Sequence, residues 1–420
     1  MSEFVLLGKH ITIAKGKPPE QLPFDGPAAA MYLTPEYLRG GARAFAAKPS
    51  RDAVVVADGD AVLLWDGSNA GEFFHGKAGI AASTMARLRA DASLDPGYFI
   101  HAMKQLEPRL KSQTSGTGIP HVDREVLEGF RLFRPALREQ QQIAQVLDTL
   151  DTTLRQTEAI IEKLKQVKQG LLHDLLTRGI DANGELRPPQ SQAPHLYKES
   201  PLGWIPNGWD VRQLQELLSS DDPAMRSGPF GSALLKHELV VSGLPLLGID
   251  NVHMERFDSN FSRFVTEKKF AELSRYAVKP HDLMITIMGT VGRCCIVPAD
   301  IGRALSSKHI WTITLDRAKY LPLLAMLQIN YCEWILRQFA KDEQGGIMSA
   351  IRSETLRTLN FPTPPIEEQI EIQARMQAVS VRIDAESIAV RKLRLQKSGL
   401  MDDLLTGRVR VTPLLSPATP

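Results

Sequence analysis

Residues 139–177 (EQQQIAQVLDTLDTTLRQTEAIIEKLKQVKQGLLHDLLT) recur at 368–406 without a gap, 229 positions later, with 12 of 39 positions identical. No other feature constrains the fold as strongly, because a duplicated segment must find the same kind of partner twice. The identities include Glu139-Gln140 with Glu368-Gln369, Lys163-Leu164 with Lys392-Leu393, and Asp174–Thr177 with Asp403–Thr406. Agreement extends upstream: Val122, Glu125, Leu127 and Pro135 match Ile351, Glu354, Leu356 and Pro364. Asp60–Gly67 and Asp282–Gly289 each begin with Asp, continue as a strand-like apolar run and end on a turn Gly. The repeated object is therefore a mixed globular domain followed by a long helix.

Within each long segment the apolar residues step by three and four. The first seam runs through Leu150, Leu154, Ile161, Leu164, Lys168 and Leu171, the second through Val379, Ile383, Glu386, Val390, Leu393 and Leu400. That 3.5-residue period is the coiled-coil period, and a stripe so narrow suits another helix better than a sheet. A helix of this length, roughly 58 Å at ~1.5 Å per residue, outreaches one small domain. Pro135 and Pro364-Pro365 precede the helices and Gly179 and Gly407 follow them, which are the places helices tolerate these residues. Tandem duplication predicts that the two helices pair antiparallel, with one globular domain at each end of a rod. Polar residues interrupt both seams at Thr157/Glu386 and Lys168/Lys397. One allowed alignment sets Lys168 opposite Glu386, with Ile161–Leu393 and Leu164–Val390 beside it.

Composition narrows the function. With 420 residues, 43% hydrophobic and 23% charged, the chain is globular and long enough for two or three units. A net charge of +2 provides no strong field toward a membrane or an acidic polymer. No apolar run reaches the ~18–20 residues of a membrane span, and the first twenty residues lack a signal-peptide pattern. A soluble, cytoplasmic protein without membrane partners is expected. Three cysteines, Cys294, Cys295 and Cys332, make neither a disulfide framework nor a four-ligand zinc site. Cys294-Cys295 lies in an apolar strand pattern and reads as buried free thiols. No GxGxxG or GxxxxGK[ST] cradle is present, His10, His75, His101 and His121 are scattered, and no catalytic or metal-ligating constellation is visible. From these residues alone, a coiled-coil scaffold binding only protein is a sufficient reading.

A family resemblance adds to this. The runs SGPFGSALLKHELVVSGLPLLGIDNV (227–252), HDLMITIMGTVGRCCIV (281–297), GGIMSAIRSETLRTLNFPTPPIEEQ (345–369) and KSGLMDDLLTGRV (397–409) resemble the specificity subunits of type I restriction–modification enzymes. The likeness covers essentially the whole chain, including the two-fold repeat. It implies an α+β fold: two tandem mixed α/β target recognition domains, 1–134 and 204–363, separated by two long helices, 135–178 and 364–409, pairing as an antiparallel coiled coil. A linker, 179–203, and a tail, 410–420, complete the division.

The resemblance further implies a non-catalytic DNA-binding subunit. Its partners would be DNA, two methyltransferase (modification) subunits and restriction/translocase subunits. S-adenosylmethionine, ATP and Mg would belong to those partners and not to this chain. The first domain departs from the pattern: it has no GPFGS-like loop, and Gly16-Lys17-Pro18-Pro19 stands roughly where that loop belongs. Nearly balanced charge, 16 Lys+Arg against 15 Asp+Glu in residues 1–134 and 18 against 17 in 204–358, requires segregation of charge if DNA is bound. In the second domain, candidate contacts are Arg226 and Lys236 flanking the glycine loop, Asn251 and His253 after a strand, and Lys308 and His309. The first domain offers Arg39, Arg43, Lys48 and Arg51 in a Gly/Ala/Pro-containing stretch, with Asn69 and Lys77 past the Gly67 turn. Each of these competes with a plain solvated surface role.

Overall fold

The computed structural model describes residues 3–41, 45–114, 118–288, 291–343 and 351–412. Two compact units emerge: Met1–Ile160 together with Glu386–Pro420, and Ile161–Ala385.

In the first unit, strands Ile11–Lys15, Met85–Ala90, Ala61–Leu64 and Phe73–His75 form an antiparallel sheet in that spatial order. A second sheet has the order Phe45–Ala47, Ala30–Leu33, Gly79–Ala81, Val55–Val56, with Ala30–Leu33 parallel to Gly79–Ala81. The run Ala61–Leu64 is buried at every position, because its two faces serve different cores. Ala61 and Leu63 pack with Tyr98, Phe99 and Met103 of helix Pro96–Lys111, while Val62 and Leu64 pack with Leu33, Val56 and Ala81. Alternation of side chains across a pleated strand makes that division automatic. Asp95 caps the helix by accepting from the Tyr98 amide at 3.0 Å.

The second unit repeats the plan. Met225–Ser227, Ile310–Ile313, Leu283–Thr286 and Cys294–Ile296 form the antiparallel sheet, and Leu244–Leu247 runs parallel to Leu305–Ser306. Leu283, Ile285 and Cys294 face the helical core, Met284 and Cys295 the other. Both thiols are buried, and burial pushes the Cys295 thiol up to about 12. Two helices follow, Pro322–Tyr331 and Glu333–Glu343, broken at the extended residue Cys332. Just before the break, Asn330 accepts from the Cys294 amide (3.0 Å) and donates to its carbonyl (2.9 Å), closing the edge of the sheet as a strand would.

Helices Leu137–Thr177 and Ile366–Leu404 carry the repeated segment, and its invariant Glu-Gln pair does the same work in both units. Gln140 is fully buried; its Nε2 donates to the Pro135 and Ser93 carbonyls and its Oε1 accepts from the Asp95 amide. Gln369, equally buried, donates to Pro364 and Lys319 and accepts from Leu321. Glu139 accepts from the Arg410 guanidinium and the Val411 amide. Glu368 accepts from the Arg187 guanidinium, the Ile180 amide and the Trp209 indole. In each unit, then, the stretch following one long helix is fastened to the first turn of the other.

Every position expected in the seams is buried or half-buried, while intervening residues such as Glu162, Lys163 and Arg391 are exposed. In the first unit the helices run antiparallel: Lys397 pairs with Asp151, and Arg394 with Glu158 at 2.6 Å. In the second unit Leu172, Leu175 and Leu176 share a core with Ile372 and Met376. The ammonium of the seam residue Lys168 meets Glu255 at 2.6 Å. The expected linker is also more than a surface crossing: Tyr197–Ser200 and Gly203–Pro206 form a hairpin, and Ile180, Ala193 and Tyr197 are buried.

Candidate nucleic-acid interface

Glycine defines one end of the four-stranded sheet in both units. A Cβ added at Gly228 would stand 2.1 Å from the Ser306 carbonyl oxygen, and one added at Gly16 would stand 2.1 Å from that of Ala82. Only glycine permits so close a backbone approach. Neighbouring hydrogen bonds correspond as well, the Ile287 amide to the His309 carbonyl (2.9 Å) and the Trp65 amide to the Thr84 carbonyl (2.8 Å). Gly16-Lys17-Pro18-Pro19 is thus the spatial counterpart of Gly228-Pro229-Phe230-Gly231, despite sharing only its glycine.

Around this end in the second unit lie the glycine loop, Lys308-His309, Ile287-Met288 and Gly292-Arg293. Ser227 Oγ donates to the Lys308 carbonyl at 3.2 Å, which holds that backbone in place while the Lys308 side chain stays exposed. Among the described residues neither Lys308 nor Lys236, also exposed, is held in an ion pair. Burial, with Lys308 nearby, holds the His309 imidazole below its usual range, so it is neutral at pH 7 and offers one donor and one acceptor. Phe230 is 63% exposed and Met288 38%. An aromatic side chain left in water on a glycine loop is a signal that residue-by-residue charge reading passes over.

Two candidates are corrected. Arg226 is 5% exposed; its guanidinium is consumed by Asp282 (2.5 Å), Thr314 Oγ1 (3.0 Å) and the Ala277 carbonyl (2.9 Å). Asn251 is 1% exposed, accepting from the Gly248 amide and donating to the Asp258 carbonyl, both at 2.9 Å. Polar groups so placed satisfy the interior and present nothing to a ligand. His253, half-buried, stands 3.9 Å from Asp258.

In the first unit, Lys48 exchanges backbone hydrogen bonds with Glu20 and Gln21 and pairs with Glu20 at 2.8 Å, while Lys17 reaches Asp52 at 3.8 Å. The glycine loop and the Lys48–Asp52 stretch, which includes exposed Arg51, are therefore neighbours. Asn69 is exposed and its carbonyl accepts from the Glu72 amide, whose side chain binds Arg39. The Lys77 ammonium stands 4.6 Å over the Tyr37 ring. Arg43 lies outside the described residues. Several cations of this domain, among them Lys15, Lys17, Arg39, Lys48 and Arg89, are already paired with carboxylates, which is how a balanced composition looks in space.

Two such loop-bearing α+β domains and two long antiparallel helices define a tandem recognition protein. A family model described as the type I restriction modification DNA specificity domain matches residues 8–166 and 206–390. The chain is 30% identical over 431 residues to the type I restriction enzyme MjaVIII specificity subunit of Methanocaldococcus jannaschii, covering 98% of this chain and 94% of that one. The EcoBI specificity subunit of Escherichia coli is 21% identical over 74% of this chain and 65% of its own length. The fold matches the S subunit structure from M. genitalium, with a TM-score of 0.58, 14% identity, and coverage of 96% of this chain and 95% of that one. The chain belongs to the specificity-subunit family of type I restriction–modification systems. The alternative of a coiled-coil scaffold without recognition domains gains nothing from these matches.

Proposed function

We propose that this specificity subunit reads a split DNA target, one half-site per globular domain. The observation that carries the reading is the shared sheet end. Both domains bring a glycine backbone against the carbonyl of the last residue of a parallel strand, an added Cβ standing 2.5 Å from that of Ala81 in one and 2.1 Å from that of Ser306 in the other, yet their loops differ: GKPP beside Ala81-Ala82, GPFG beside Ser306-Ser307. Equal frames with unlike edges suit two unlike half-sites. Bare backbone amides and Lys308 would contact phosphates, while side chains such as His309 would meet base edges. Since each domain is close to neutral, much of the non-specific affinity for DNA would come from partner subunits.

Those partners, in this reading, are two methyltransferase subunits and the restriction/translocase subunits. They would carry S-adenosylmethionine, ATP and Mg, and this chain would bring no catalytic group. Its cysteines support that role, since burial holds the thiols in the unreactive protonated form. A cytoplasmic location follows from acting on genomic DNA; among the described residues no helix is long and apolar enough to cross a membrane. Methylation-sensitive long-read sequencing of the host, with and without this gene, tests the proposal. The expected result is a two-part motif with an unspecified gap, whose methylation disappears on deletion. A continuous motif, or methylation unchanged by deletion, refutes it.

A further inference from the structure

Two residues of the second unit are locally unfavourable and meet each other. Lys168 occupies a seam position, between Leu164 and Leu171, where the heptad calls for an apolar side chain. Glu255 has φ +61, the left-handed region where only glycine is at ease. The Lys168 ammonium donates to Glu255 Oε2 at 2.6 Å, and the Tyr331 hydroxyl donates to Glu255 Oε1 at 2.5 Å. Burial, and the carboxylate beside it, push the Tyr331 hydroxyl above the usual range, so it stays a donor. A disfavoured backbone kept by a tight contact is where a functional constraint is sought.

Glu255 stands at the tip of a short hairpin. His253 and Arg256 exchange backbone hydrogen bonds at 3.0 and 3.3 Å, and Val252 bridges Phe257. The root of the hairpin is rigid: Val252 is buried with Leu247, Met284 and Cys295, and the Asn251 side chain ties Gly248 to Asp258. The Glu255 amide donates to the Cys294 carbonyl at 3.1 Å, which joins the tip to the four-stranded sheet. Open space flanks the contact on both sides. A cleft of about 480 Å³, walled by Lys165, Leu172 and Trp334, lies on one side. A second of about 410 Å³, walled by Arg256, Met326 and Met376, lies on the other, and Lys168 and Glu255 line both. Between these cavities the ion pair connects the hairpin tip to the helix.

We propose that Glu255 is a positioning residue: gripped by Lys168 and Tyr331, it is a strut that sets the pose of the second recognition domain on the first long helix. The strut thereby fixes the spacing at which this domain meets its half-site. This rests on the split-target function proposed above. An ion pair that merely stabilised the fold would show in the melting temperature. A strut shows in spacer discrimination. Lys168→Met restores an apolar seam, and Glu255→Gly relieves the left-handed backbone, each offsetting part of the cost of the charge left unpaired, so spacer discrimination falls out of proportion to the melting temperature.

The test uses the full chain assembled with its methyltransferase subunits. Methylation rates are measured on the native target and on the same half-sites with the spacer one base pair longer or shorter. In both single variants the preference for the native spacer falls about tenfold, half-site sequence preference is unchanged, and the charge-swapped double variant Lys168→Glu/Glu255→Lys recovers the preference. If the parent protein discriminates spacers and both single variants discriminate equally well, the strut is wrong and the split-target function stands. Loss of melting temperature in step with lost discrimination, without recovery in the double variant, makes the contact merely structural and also overturns the proposal. A parent protein indifferent to the second half-site overturns the function itself.

Discussion

Replacing Glu368 with Ala removes one carboxylate and strands three donors. Trp209 is fully buried and its indole N–H lies 3.0 Å from Glu368 Oε1; the Ile180 amide lies at 2.8 Å, and the two Arg187 contacts at 2.5 and 2.9 Å. The Arg187 and Glu368 side chains are 15% and 8% exposed. Each orphaned neutral donor costs about 1 kcal/mol at the low end, and a largely buried cation left without its partner about 3, so the loss is about 5 kcal/mol. Glu139→Ala removes the equivalent carboxylate from the first unit, but the outcome differs. Arg410 is 37% exposed and rehydrates on release, and the Val411 amide is a long 3.3 Å away. With solvent screening, that pair contributes at most about 1 kcal/mol and the amide about another. Urea titration followed by tryptophan fluorescence and circular dichroism measures both variants. At a slope of about 2 kcal/mol/M the midpoint of the affected transition falls by about 2.5 M for Glu368→Ala and about 1 M for Glu139→Ala. Equal losses, or a larger one for Glu139→Ala, would refute the argument that burial of the cation sets the magnitude.

Gly228→Ala and Gly16→Ala each drive a Cβ to 2.1 Å from a backbone oxygen; each should cost about 1–3 kcal/mol in thermal melting and weaken DNA binding as well, and a variant with parental melting and affinity would contradict the close approach. Breaking the buried pair with Arg226→Ala should cost about 3–5 kcal/mol, and Arg226→Met with Asp282→Leu less than that, because the double change leaves no charge alone; additive losses across that cycle would argue against the pair. Acid stability follows from Glu139, whose carboxyl the Arg410 guanidinium holds below its usual range. A depressed folded pKa gives stability that is present above the unfolded value of ~4.3 and is lost as pH falls through the folded value. Urea midpoints measured from pH 6 down to pH 3 should therefore drop less steeply for Glu139→Gln than for the parent, and identical slopes would exclude the contribution.

Repeat, helix lengths and seam were legible in the residues because each is a local or periodic property: 3.5-residue spacing decides which side of a helix is apolar, whatever the partner. The shared Glu139-Gln140 and Glu368-Gln369 pairs were equally visible as identities, but their meaning was not. Arg410 and Arg187 stand 271 and 181 residues away from the carboxylates they bind, and no spacing rule connects them. Tertiary structure also decided which polar residues face inward. Arg226 and Asn251 have the side chains a DNA contact wants, yet burial turned one into a partner for Asp282 and the other into the anchor of a hairpin. The segment 179–203 looked like a linker because it lacks periodicity, and it folds nonetheless through Ile180, Tyr197 and Arg187, three residues whose partners lie elsewhere in the chain or across a short hairpin. Lys168 is the plainest instance: the sequence marked it as a misfit in an apolar seam, and only the packed domain, by bringing Glu255 within 2.6 Å, determined what a buried ammonium there is bound to.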